Sequence, residues 1–282
     1  MKSKAPKIPL DQLDSWKKFT KKLYSLADAD PGYYCILASG LPEDQKKRIA
    51  IAWCAFYNLG IAAKASQYKT STKFYEYLHS VYPTAKRNSE RRHFRGAAGL
   101  NALRQWQTNW KTPEKMADYI TNDGNAGTYF NVRARTNTVA LMGPYFAWKW
   151  CDLTEVLYGQ SIDFTDSESS SPSVPQQGAA LLFPENTVAE AYAEIVRYGR
   201  FAQVPTNMPH RNVFGIGEAE TVCCVFKQMA SGKYVYGLRA AKAIARLDSM
   251  PGDASSAMAE GLLSMTPYDR KELSIILEEH QK

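Results

Sequence analysis

Three short stretches hold residues whose types and spacing suit a planar, anionic substrate. The first is Gly143-Pro144-Tyr145-Phe146-Ala147-Trp148-Lys149-Trp150-Cys151-Asp152-Leu153. With Pro144 as the first helical residue, Tyr145, Trp148, Lys149, Asp152 and Val156 fall on one face of a helix. Two rings there can hold a planar group, the lysine can meet phosphate, and Asp152 can take a proton. Gly143 leaves room at a helix N-terminus, where anions are favoured. The competing reading packs Tyr145, Trp148 and Trp150 into a core and pairs Asp152 with a partner.

The second stretch runs from Pro209-His210-Arg211-Asn212 through Gly215-Ile216-Gly217-Glu218 to Lys227. On a helix from Glu218, residues Glu220, Cys223, Cys224 and Lys227 lie together, so a glutamate and a lysine bracket a polar site with small thiols between them. Vicinal cysteines bind soft metals, but no partner histidine is near, and no metal site is expected. The G-x-G here is too short for a dinucleotide fingerprint, and neither a phosphate-binding loop nor an H-E-x-x-H motif occurs anywhere.

The third stretch is basic: Lys86, Arg87, Arg91, Arg92, His93 and Arg95, relieved only by Glu90. Such charges repel unless an anion neutralises them. Arg91, Arg92 and Arg95 within one helical turn can address adjacent DNA phosphates. The competing reading is a solvated helix face.

Positioning these residues falls mainly to helices. Asp44 caps a helix expected to run to about Ala65, with Ile49, Trp53, Phe56, Gly60 and Ala63 as its buried stripe. Further helices are expected over Lys73–Val81, from Ser89 through Leu100, Leu103 and Trp106, over Glu114–Ile120 after Thr112-Pro113, and over Tyr145–Tyr158. Residues Ser161–Gly178, with three consecutive serines, Pro172 and Pro175, read as an exposed loop or linker. Helices resume over Asn186–Tyr198, Glu218–Met229, Leu238–Leu247 and Thr266–Glu279, the last opened by a capping box at Thr266, Pro267 and Asp269. Tyr234-Val235-Tyr236 is the best short strand candidate. The fold class is all-α. An N-terminal helical part (1–160) and a C-terminal helical part (179–282) flank the 161–178 segment, either as two domains or as one.

The bulk numbers agree with a globular protein that meets a polyanion. Of 282 residues 45% are hydrophobic and 22% charged, which excludes wholesale disorder. Lys and Arg number 35 against 28 Asp and Glu, a net charge of +7, which favours an anionic partner without fixing the fold. Six tryptophans and 17 tyrosines leave some to stack on bases. Five cysteines without C-x-x-C argue against a disulfide framework or a zinc site and for reduced, mostly buried thiols. Met1–Leu10 has lysines but no apolar stretch after them, and no apolar run approaches a membrane span, so a cytoplasmic protein with no membrane partner is expected.

Read together, these motifs resemble a known family. Gly143-Pro-Tyr-x-Ala-Trp ending in Asp152-Leu153 is similar to the Gly-Pro-Phe/Tyr-x-Ala…Asp-Leu segment of the phage α-glutamyl/putrescinyl-thymine pyrophosphorylases, also called amino acid:DNA transferases. Ala219-Glu220-Thr-Val-Cys-Cys224-Val-Phe-Lys227 resembles their Val-Glu-x-x-Leu-Cys-Glu-x-x-Lys helix. Trp53-Cys-Ala-Phe56-Tyr57-Asn58 is similar to their Phe-x-Asn segment, although Leu59-Gly60 replaces an arginine-glutamate pair and Val225 replaces a glutamate. The match spans much of residues 45–230.

The resemblance implies a helical fold distantly like helix-hairpin-helix DNA glycosylases. It implies a base-modifying transferase of bacteriophage type. An amine from an amino acid or polyamine would displace pyrophosphate from pyrophosphorylated 5-hydroxymethyluracil in DNA, leaving a hypermodified thymine. Asp152 or Glu220 would take the amine proton. Lys227, Lys149 or the arginine cluster would meet departing pyrophosphate. Tyr145 and Trp148, with Asn58 and His210 beside them, would hold a flipped base. Mg²⁺ bridging the leaving group is compatible with this chemistry, though no residue pattern demands it. Two other readings use the same residues: a glycosylase-like enzyme that excises a base, and a nucleic-acid binder without catalysis.

Overall fold

Prolines and small polar caps start the helices, and residues in the left-handed region end several of them. The computed structural model describes residues 15–85, 94–165, 167, 173–206 and 214–281. The first helices are α1 (Trp16–Ser25), α2 (Pro31–Leu37), α3 (Glu43–Phe56), α4 (Leu59–Ser66), α5 (Ser71–Val81), α6 (Gly96–Trp110) and α7 (Pro113–Thr121). There follow α8 (Tyr129–Thr136), α9 (Pro144–Tyr158), α10 (Ser173–Leu182) and α11 (Val188–Phe201). The last are α12 (Ile216–Ala230), α13 (Leu238–Asp248), α14 (Asp253–Met265) and α15 (Arg270–Gln281). Among the described residues the only extended pairing is an isolated bridge between Thr128 and Asp163. The chain is all-α, and Tyr234–Tyr236 forms no strand.

Local chemistry accounts for the clearest boundaries. Thr112 accepts from the Lys115 N–H and Pro113 takes the first position of α7, where its missing N–H costs nothing. Helix α9 starts at Gly143-Pro144 and stops at Gly159, whose φ of 68° reverses the backbone hand. Helix α15 opens one turn later than expected: Asp269 and Glu272 exchange hydrogen bonds of 2.8 and 2.9 Å as its capping box.

Three other expectations are corrected. The helix expected from Asp44 to Ala65 is two helices, because Tyr57 turns left-handed (φ 52°) and Asn58 begins anew. Gly60 then lies so close to the Arg246 carbonyl that a methyl group there would collide with it. The helix expected from Ser89 starts at Gly96, with Arg95 in extended conformation as its cap. Arg95 therefore precedes the helix; Lys86, Arg87, Arg91, Arg92 and His93 lie outside the described residues. Finally, α10 takes in the end of the expected 161–178 loop. Pro175 is tolerated in its first turn, and Gly178 permits backbone-to-backbone approach to Cys223 of α12.

The chain divides into two units: Met1–Tyr34, Phe164–Lys242 and Leu262–Lys282 form one, Cys35–Asp163 and Ala243–Gly261 the other. In the first, α12 packs against α1, α10 and α11. Its core gathers Phe19, Leu23, Tyr192, Ile195, Phe214, Val222, Phe226 and Tyr234, each contributing roughly 1.5–3 kcal/mol by leaving water. In the second, α3 packs on α4, α7 and α9, and α8 lies on α9. Ion pairs tie α3 to α7 there: Lys47 meets Asp118 at 2.8 Å and Arg48 meets Glu114.

Candidate active site

Helix α9 is buried almost all round. Only Pro144, Tyr145, Asp152 and Tyr158 show partial or full exposure. Leucines and tryptophans account for much of that burial. Of its two carboxylates, Glu155 is buried and accepts from the Ile162 N–H at 3.0 Å, whereas Asp152 is half-buried. Tyr145 lies two turns before it, so the two share a stripe. Lys149 completes the stripe and is 9% exposed, with Nζ 6.0 Å from the Tyr145 ring centroid. Trp148 is 4% exposed, its ring 5.3 Å from that of Tyr129.

Sequence reasoning missed Tyr57 as part of this group. The Tyr145 hydroxyl donates to the Tyr57 hydroxyl at 3.5 Å. The Tyr57 ring stacks on Trp53 with centroids 4.6 Å apart and planes 20° apart. The left-handed turn of Tyr57 is braced by Arg246, whose Nη1 donates to its carbonyl at 3.2 Å. Asn58, expected at the substrate, caps α4: its Oδ1 accepts from the Ile61 N–H at 3.3 Å. No acid stands in the first turn of α9, and the space beside Gly143 is open. The end of this helix thus presents a positive dipole with room for an anion.

Helix α12 exposes a single stripe. Glu220, Cys224, Lys227 and Gln228 are half-buried at i, i+4, i+7 and i+8, as one helical face requires. Glu220 and Lys227 therefore share a face as expected. Cys223 does not belong to it: the thiol is wholly buried, and burial, followed by the charge of Glu220, raises its pKa well above the ordinary value. Cys224 stands on the stripe in its place, accepting from Gln228 Nε2 at 3.7 Å.

Around the N-terminal half of α12, in the same unit, lie two carboxylates that sequence reasoning passed over. The Thr221 hydroxyl is 3.4 Å from both Asp30 Oδ2 and Glu220 Oε2. Arg239 stands 3.9 Å from Asp30 Oδ1 and donates to the Ala29 carbonyl. Asp28 is fully buried and accepts from the Tyr234 hydroxyl at 2.6 Å, from Gly237 N–H at 2.9 Å and from Ala240 N–H at 2.7 Å. Burial nonetheless outweighs those donors and pushes its carboxyl up from 3.8 to about 6. Burial and then the charges of Asp30, Glu218 and Asp28 drive the nearby Tyr34 phenol far above its ordinary range. The only sequence signal was the Asp28-Ala-Asp30-Pro31 spacing between a lysine-rich helix and a proline.

His210 and Arg211 lie outside the described residues. Arg135 is engaged structurally, donating to Tyr119 O at 3.0 Å and Asn122 Oδ1 at 2.8 Å. Among the described residues no group of three or more His, Cys, Asp or Glu side chains is disposed to hold a metal ion, and no helix is long and apolar enough to cross a membrane. All five cysteines are free thiols.

Comparison with known proteins adds a family. A model described as amino acid:DNA transferase matches residues 11–234. The putrescinyltransferase of Delftia phage PhiW-14 is 26% identical over 231 residues, 77% of this chain and 73% of its own length. The glycinyltransferase of Pseudomonas phage PaMx11 is 26% identical over 255 residues, 78% of this chain and 85% of its own.

Proposed function

The chain belongs to the amino acid:DNA transferase family, whose model covers most of its length, and from that premise we propose that it joins a primary amine to a pyrophosphorylated 5-hydroxymethyluracil base in DNA. The names of the two relatives denote putrescinyl and glycinyl groups, and putrescine and glycine both carry a primary amine. In this reaction the amine lone pair attacks the methylene carbon on the base. The carbon–oxygen bond to pyrophosphate breaks, and pyrophosphate leaves with that electron pair. The surplus proton on nitrogen passes to a carboxylate, Asp152 or Glu220.

The observation that carries this reading is the distribution of exposure on two otherwise buried helices. On α9 the partly open positions after the start are Tyr145, Asp152 and Tyr158; on α12 they include Glu220 and Lys227. Tyr145 with Tyr57 supplies a face for the base, and Lys149 and the open start of α9 suit the leaving pyrophosphate. On the α12 stripe the cation is Lys227.

The test is mass spectrometry of nucleosides after the protein meets DNA bearing the pyrophosphorylated base, with a pool of amino acids and polyamines. An amine-adducted thymidine is expected. Free base with abasic sites would replace the transferase by a base-excision enzyme, and unchanged DNA would replace both by a binder.

A further inference from the structure

Helix α1 bears Lys17, Lys18, Lys21 and Lys22, and no acid occurs between Ser15 and Ala27. Burial of Phe19, Leu23 and Tyr24 fixes the rotation of the helix and turns Lys17, Lys18 and Lys21 to solvent. The first turn of α1 lies against the end of α11. The Tyr198 hydroxyl donates to the Lys17 carbonyl at 3.2 Å, the Trp16 and Tyr198 rings are 5.0 Å apart edge to face, and Lys17 Nζ stands 5.7 Å from the Tyr198 ring centroid.

Three residues beyond Tyr198, on the same side of α11, is Phe201, which is 89% exposed. Arg197 and Arg200 flank it and are exposed. Arg197 shares its charge with Glu194 at 2.5 Å, and Arg200 Nε donates to the Phe214 carbonyl at 3.0 Å. A single exposed hydrophobe ordinarily needs no explanation. Phe201 differs because it stands at the last residue of its helix, bare of packing, beside the lysines of α1.

We infer that the outward faces of α1 and α11 form a docking surface for duplex DNA, with the lysines on phosphates and Phe201 entering the base stack as a wedge. The inference rests on DNA being the substrate. Cations at one helical spacing neutralise successive phosphates and release their counterions. An apolar side chain inserted between base steps unstacks them and helps hold a nucleotide outside the helix. It draws on none of residues 86–95, to which the sequence pointed first.

The test uses the full chain and a duplex of ordinary thymine composition, with a fluorescent purine analogue beside one thymine. For K17Q/K18Q/K21Q, the slope of log affinity against log salt is expected to shrink by about 2 to 3, with at least about tenfold weaker binding near physiological salt. Phe201→Ala is expected to keep the salt slope and lose the rise in analogue fluorescence that unstacking gives, and Phe201→Trp to retain it. All four positions are exposed, so melting temperatures should match that of the parent. Unchanged affinity and slope in the lysine variant, or a parent chain that does not bind the duplex, overturns the docking surface. Unchanged fluorescence in Phe201→Ala overturns the wedge. Because the duplex carries no pyrophosphate, a chain that binds it in this way but transfers no amine tells against the proposed reaction and leaves this surface standing.

Discussion

Helices α9 and α12 have the same length and both begin on a glycine, yet their starts are closed in opposite ways. Gly215 donates to Glu218 Oε2 at 2.9 Å, and Glu218 is fully buried. Helix α12 thus brings its own anion to its amino end and has its polar stripe along its flank. Helix α9 has Pro144 and no acid in its first turn, so it brings no anion of its own to its dipole. Helix α9 therefore offers its end and Asp152 to chemistry, and α12 its side.

The largest expected effects fall on the two carboxylates. Asp152→Asn and Glu220→Gln, measured as single-turnover transfer rates, should separate: the residue that takes the amine proton loses about 100-fold or more, the other far less, with melting unchanged in both. Small and equal losses would leave neither helix holding the base.

A second measurement concerns the α12 unit alone. Asp28 has its carboxyl raised to about 6, so between its unfolded value near 3.8 and pH 6 the folded chain binds more proton than the unfolded one. Its contribution to stability is present below pH 4 and lost as pH rises to 6, a change of about 3 kcal/mol. Urea midpoints should therefore show the parent losing ground against Asp28→Asn across that window, and a constant gap would remove the buried carboxylate from the account.

The smallest effects are at the two starts. Glu218→Ala should cost about 2 kcal/mol, since it strips a buried helix cap. Gly143→Ala should cost only a few tenths of a kcal/mol, because its φ of −77° suits any residue and a Cβ there meets nothing. Its expected mark is weaker product inhibition by pyrophosphate. Equal loss of stability in the two variants would erase the distinction between the starts.

What the sequence made legible was local. Thr112-Pro113, Gly143-Pro144 and Gly159 are cap signals that act within a turn, and α7 and α9 lie where those signals put them. The spacing of Glu220 and Lys227 likewise determined a shared face. Features set by distant neighbours were not legible. The break after Phe56 depends on Tyr57 turning left-handed beneath Arg246, far along the chain. The helix at Ser173–Leu182 depends on Gly178 meeting Cys223, although Ser and Pro dominate the residues before it. Asp28 and Asp30 read as ordinary loop acids, because the groups that engage them lie about two hundred residues on.

The family match stops at residue 234, but the fold does not. Gly237 and Ala240 supply two of the three donors to Asp28, and Arg246 braces Tyr57 and crowds Gly60. A chain cut at that boundary would strand a carboxylate in an apolar interior in one unit and leave a left-handed tyrosine without its brace in the other. The last sixth of the protein, beyond the family match, thus completes contacts inside each unit, and variation there should be felt at sites it never touches.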